Sequence, residues 1–133
     1  MRVFLWAKFM RFIEQTQHFS QAELASPDTG EAKMQPEFML MLEALRRDYG
    51  KPMIITSGYR TPEHNAAVGG AKRSYHLQGR AVDVQVFGAE AYQLVKLAMR
   101  HGFGGIGIQQ QGAMEGRFIH LDNREGDPVI FSY

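Results

Sequence analysis

The sequence contains no cysteine. Disulfides and thiolate metal sites are therefore excluded, and any metal ion must be held by histidine or carboxylate side chains. An excess of charge of one sign is also missing. Fifteen lysines and arginines stand against 14 aspartates and glutamates, a formal net charge of +1. That balance gives no reason to expect a nucleic-acid or membrane partner. No apolar run reaches the roughly 20 residues that a bilayer-spanning helix needs. No repeat, low-complexity tract or linker interrupts the chain. Its 133 residues suit one domain, 1–133, around a single core, and a monomer is expected.

What is present is an ordinary soluble composition, 44% hydrophobic and 22% charged. The opening MRVFLWAKFMRF is apolar and basic, but Lys8 and Arg11 break the apolar run and no small-residue cleavage site follows cleanly. It reads as an ordinary first helix or strand whose aromatics, Trp6 included, pack on the core; a signal segment is the alternative. Ser20-Gln21-Ala22-Glu23 has the form of a capping box. Ser26 to Gly30 reads as a turn. Phe38, Met41, Leu42 and Leu45 recur at helical spacing between Pro36 and Gly50, which suit a helix start and a helix stop. A strand is expected over Met53–Thr56, a short helix over Pro62–Val68, and a longer helix over Gly88–His101 with Tyr92, Val95 and Met99 at helical spacing. Further strands are expected over Gly105–Gln109, Phe118–Asp122 and Val129–Phe131. This order favours an α+β fold with a mostly antiparallel sheet flanked by helices.

Two strands carry chemistry. In Arg80–Phe87 the side chains of Val82, Val84 and Val86 face one way, and those of Ala81, Asp83 and Gln85 the other. In Phe118-Ile119-His120-Leu121-Asp122, Ile119 and Leu121 face one side while Phe118, His120 and Asp122 face the opposite one. If both apolar faces share the core, Asp83 and His120 share the other face. A carboxylate within so apolar a strand is costly unless it is paired or bound to a metal. His76 precedes the first of these strands, and a turn at Gly79 would fold its imidazole back toward Asp83. Two histidines and a carboxylate suit a catalytic zinc site with one open position. The plainer alternatives are a hydrogen-bonded or surface histidine and an aspartate that caps a turn.

The segments Ser57-Gly58-Tyr59-Arg60-Thr61-Pro62-Glu63-His64-Asn65, Val68-Gly69-Gly70, Ser74-Tyr75-His76-Leu77-Gln78-Gly79-Arg80-Ala81-Val82-Asp83 and Phe118-Ile119-His120-Leu121-Asp122, in that order, closely resemble the zinc D-Ala-D-Ala carboxypeptidase family. That family includes murein endopeptidases and phage endolysins and shares its fold with the hedgehog signalling domain. The resemblance spans about Phe19 to Arg124. It implies a hedgehog/DD-peptidase-like fold and a Zn2+ ion held by His76, Asp83 and His120. It implies that Arg60 clamps a substrate carboxylate or carbonyl, and that Ser74 orients the loop or touches substrate. It implies a metallopeptidase that cleaves an amide bond in peptidoglycan stem peptides or cross-links. Absence of a clear signal peptide suits phage- or prophage-type delivery to the periplasm or cell wall, or a virion-associated enzyme. One departure stands out. Many members carry a general-base carboxylate three residues before the last zinc histidine, where this chain has Arg117, which accepts no proton. Asp122 is the first replacement; its alternative role is to orient a ligand histidine. Glu115 is a loop candidate, and His64 is a candidate substrate-binding residue near the cleft, with a structural role as its alternative. The competing function is a zinc-containing cell-wall-binding or virion structural module without turnover.

Overall fold

The computed structural model describes residues 18–133. The reading of the opening segment, Trp6 included, therefore lies outside the described residues. Among the described residues the first helix, α1 (Gln21–Leu24), starts on the expected capping box: the Ser20 N–H donates to Glu23 Oε1 at 2.6 Å and the Glu23 N–H to Ser20 Oγ at 3.2 Å. Helix α2 (Pro36–Tyr49) begins with proline, whose missing N–H is unneeded in a first turn, and ends at Gly50 in the left-handed conformation. Strand β1 (Ile54–Ser57) leads to α3 (Pro62–Ala67), capped by Thr61 Oγ1, which accepts from the His64 N–H at 3.1 Å. A 3-10 turn, Tyr75–Gln78, precedes β2 (Ala81–Gln85). Helix α4 (Gly88–Arg100), β3 (Gly105–Gln109), a short 3-10 turn at Met114–Gly116, β4 (Phe118–Asp122) and β5 (Val129–Ser132) complete the chain.

The five strands form one sheet in the order β1-β2-β4-β3-β5. Every neighbouring pair is antiparallel except β3 with β5, which is parallel. This is the expected α+β architecture. One sheet face builds the core: Val82, Val84, Ile106, Ile119 and Leu121 pack with Phe38, Met39, Leu42, Leu45, Leu94 and Ala98 from α2 and α4. Each such burial is worth about 1.5–3 kcal/mol, so this face fixes the strand phase.

Two details differ from the periodicity. In α2, Met39 is fully buried and Met41 only partly so. In α4 the core face is Ala91, Leu94, Leu97 and Ala98, whereas Tyr92 and Met99 are exposed. Helical spacing identifies stripes but not which stripe meets the sheet, and α4 carries two adjacent apolar stripes.

Candidate metal centre

The sheet register sets up the site. One row runs straight across all five strands: Ser57 on β1, Asp83 on β2, His120 on β4, Gly107 on β3 and Phe131 on β5. Asp83 and His120 are direct cross-strand partners, which sets the two side chains next to each other on one face. His76 arrives from the 3-10 turn. Ser74 caps that turn, its Oγ accepting from the His76 N–H at 3.2 Å. Gly79 ends it with φ of 65°, in a place where a Cβ would stand 1.9 Å from the Lys33 carbonyl oxygen. Only glycine passes there, and the chain then doubles back so that His76 lies over Asp83.

Among the described residues, one trio of histidine and acidic side chains brings donor atoms within 4.8 Å of one another: His76, Asp83 and His120, all buried. Asp83 Oδ1 lies 3.2 Å from His76 Nε2 and 3.0 Å from His120 Nδ1. The other ring nitrogens are already engaged. His76 Nδ1 is 2.7 Å from the Gly58 carbonyl oxygen, which can only accept, so Nδ1 carries the proton. His120 Nε2 is 2.7 Å from Asp122 Oδ2, which places its proton there. In the neutral rings, two nitrogen lone pairs therefore point at a carboxylate oxygen. Three acceptors facing each other repel, and a shared cation relieves them.

The donor set fits zinc. Ligand atoms at 2.0–2.1 Å around a tetrahedral ion stand roughly 3.3 Å apart, close to the observed 3.0 and 3.2 Å. Two imidazoles and one carboxylate would leave one position open on a four-coordinate ion, and the Gly58 carbonyl and Asp122 hold the two rings in the ligating tautomers.

Electrostatics follow the same contacts. Burial pushes the Asp83 carboxyl up, but its contacts with His120 and His76 outweigh this and hold it well below the usual carboxylate range. Burial alone lowers the His120 pKa; Asp122 and Asp83 overcome it and raise the pKa above the ordinary imidazole value. Asp122 is also held low against the effect of its burial, chiefly by Arg124 and then by His120.

Arg60 lies beside the trio. Its Nη2 donates to Asp83 Oδ2 at 3.4 Å, its Nε to Ser57 Oγ at 3.0 Å and its Nη1 to Asn65 Oδ1 at 3.3 Å. Together with Ser74, His76, Asp83 and His120 it lines an open cleft of about 730 Å3. His64 is not among the residues that line this cleft. Its neighbour Asn65 is the α3 residue that turns inward, because Thr61 and Asn65 occupy the buried side of that short helix. Arg117 and Glu115 also stay outside the lining: Arg117 Nε donates to the Gly112 carbonyl at 3.0 Å, and Glu115 is exposed on the hairpin loop.

Asp122 lies beneath the cleft with no exposed surface. Its Oδ2 meets His120 Nε2 and accepts from Arg124 Nη2, while its Oδ1 accepts from the Arg124 N–H and Nε. Arg124 is a residue that the sequence reading passed over. Its guanidinium is stacked between Tyr75, at 4.9 Å, and Phe131, at 5.4 Å. The available signal was its place two residues after Asp122 with an aromatic strand following. Two glycines were also missed. A Cβ at Gly105 would stand 2.2 Å from Asp122 Oδ1, and one at Gly107 would stand 2.5 Å from Phe131 Cε2 and 3.0 Å from His120 Cβ. The alternating Gly105-Ile106-Gly107-Ile108 therefore gives β3 a bare face, on which the Asp122 carboxylate and the Phe131 ring lie.

Comparison with known proteins adds a family. A model of the peptidase M15 family matches residues 11–122. The chain is 32% identical over 77 residues to the peptidoglycan L,D-endopeptidase MepK of Escherichia coli K12, covering 54% of this chain and 40% of that protein. It is 36% identical over 66 residues to the zinc D-Ala-D-Ala carboxypeptidase of Streptomyces albus G, covering 49% of this chain and 26% of that protein. In both cases the chain spans well under two thirds of the relative.

Proposed function

The chain belongs to the peptidase M15 family, and on that premise we propose that it is a zinc-dependent hydrolase of an amide bond in peptidoglycan stem peptides or cross-links. The observation that carries this reading is the meeting of three acceptors, His76 Nε2, Asp83 Oδ1 and His120 Nδ1, at the base of an open cleft. His76, Asp83 and His120 would hold the metal. Zinc bound there supplies a Lewis acid that polarises a substrate carbonyl and makes water a competent nucleophile near neutral pH.

The remaining roles belong to the chain. The Gly58 carbonyl holds the proton at His76 Nδ1, and Asp122 holds the proton at His120 Nε2, so both rings keep their lone pairs on the metal side. Saturation of both Asp122 oxygens, together with its full burial, supports the role of orienting His120 over that of accepting a proton from water. Arg60 presents a guanidinium beside Asp83, suited to a substrate carbonyl or terminal carboxylate. Ser74 fixes the turn that carries His76 and lines the cleft.

The substrate lies in the bacterial cell wall, and the protein acts there or in the periplasm; delivery by phage or prophage machinery, or within a virion, is part of the same proposal. No helix among the described residues is long and apolar enough to cross a membrane. One observation favours a second reading, a zinc-containing wall-binding or virion module without turnover. Among the described residues that line the cleft, Asp83 is the only carboxylate. Incubation of zinc-loaded protein with purified peptidoglycan, followed by mass spectrometry of soluble fragments, decides between them. Hydrolysis predicts fragments that an Asp83→Ala control does not release. Zinc and peptidoglycan binding without fragments selects the second reading.

A further inference from the structure

One wall of the cleft consists of aromatic rings whose placement follows from the sheet. Phe131 occupies the same transverse row as Asp83 and His120, and its ring packs on His120 at 5.4 Å over the bare backbone of Gly107. Tyr133 is two residues further along the same strand direction, so it shares that face. Its N–H donates to the Ile108 carbonyl at 3.3 Å, which extends the β3–β5 pairing to this residue. Its ring lies 5.8 Å from Phe131 and 5.0 Å from Phe118. The three rings line the same cleft as Arg60, His76 and Asp83.

Three features mark this wall as a binding surface. Tyr133 is 62% exposed, although an aromatic ring on an edge strand gains from burial. The neighbouring guanidinium of Arg124 is committed to Asp122 and to stacking. The Tyr133 hydroxyl, by contrast, has no hydrogen-bond partner among the described residues and keeps its proton at neutral pH, as phenols do. It is a free donor at the mouth of a cleft.

We propose that Phe118, Phe131 and Tyr133 form a peptide subsite, in which the rings take a small aliphatic side chain next to the scissile amide and the Tyr133 hydroxyl donates to a substrate carbonyl oxygen. This deepens the hydrolase reading and rests on it for the identity of the peptide. The rings supply apolar contact without charge, and the hydroxyl supplies one directional bond, a combination suited to an alanine-containing peptide strand.

The test compares wild type, Tyr133→Phe, Tyr133→Leu and, as a control on the exposed side of α4, Tyr92→Phe, with synthetic stem peptides that end in D-Ala-D-Ala. Tyr133→Phe keeps the ring and every structural contact and removes only the donor. The expected result is a KM raised roughly three- to tenfold, with zinc content, melting temperature and kcat unchanged, a larger rise in Tyr133→Leu, and no change in Tyr92→Phe. An unchanged KM in both Tyr133 variants overturns the proposal. If the wild type cleaves nothing, the hydrolase reading has failed, and the subsite is judged by titrating the same peptides against the zinc-loaded proteins by NMR. Binding weakened in Tyr133→Phe then supports the subsite. Equal binding in both proteins, or none in the wild type, overturns it.

Discussion

Asp122→Asn preserves the shape of a wholly buried side chain and removes its charge. The native carboxylate has Oδ2 2.7 Å from His120 Nε2 and accepts three bonds from Arg124. An asparagine has one oxygen for these contacts and one NH2 group. If the NH2 turns to His120, it donates to Nε2 and drives the ring proton to Nδ1, the nitrogen that faces Asp83; if it turns to Arg124, two donors meet. Either way the site loses a charge-assisted bond of about 1.5–3 kcal/mol. Loss of such a partner costs about 10- to 100-fold in metal affinity. The assay is a competition titration of zinc between the protein and a chromophoric chelator at pH 7.5, with circular dichroism to confirm the fold. Melting temperature should also fall, since Arg124 loses its counter-charge, but the affinity change is the diagnostic readout. A folded Asp122→Asn protein that binds zinc within twofold of wild type would refute the reasoning, because the Asp122–His120 contact would then not set the tautomer.

Three further outcomes follow from the same geometry. Gly105→Ala places a Cβ 2.2 Å from Asp122 Oδ1, so it should destabilise the fold by about 1–3 kcal/mol and weaken zinc binding together, checked by urea melts and chelator competition; a neutral effect would mean that the trough is not filled. In metal-free protein the raised His120 pKa contributes stability that is complete below the unfolded value of about 6.5 and fades as pH rises through the folded pKa. The depressed Asp83 and Asp122 contribute stability above an unfolded value near 4 that fades as pH falls toward their folded values. Thermal melts across pH 5–9 should therefore show the zinc-free protein losing stability on the alkaline side relative to the zinc-loaded form, and matching curves would contradict this. Arg60→Lys removes the fork that spans Ser57, Asn65 and Asp83; zinc content should stay near wild type while kcat/KM on stem peptides falls at least tenfold, and unchanged kinetics would remove Arg60 from the substrate.

The local signals were legible for local reasons. Ser20 and Glu23, Pro36 and Gly50 act within a single turn, so the residues themselves mark the helix ends. The alternation Val82-Asp83-Val84 and Ile119-His120-Leu121 fixes which side chains share a face, because a strand repeats every two residues whatever it pairs with. With the resemblance of the SGYR and SxHxxGxAxD segments, this was enough to name His76, Asp83 and His120 as a set. The tertiary structure alone decided that β4 pairs with β2 in the register that sets His120 opposite Asp83, that β5 runs parallel to β3 and brings Phe131 and Tyr133 into the cleft, and that Asn65 turns inward in place of His64. It also decided that Asp122 is enclosed by Arg124 on a bare strip of β3. Phase along a strand is a property of consecutive residues. Register between strands is set by the fit of a core assembled from distant parts of the chain, and no stretch of sequence contains that fit.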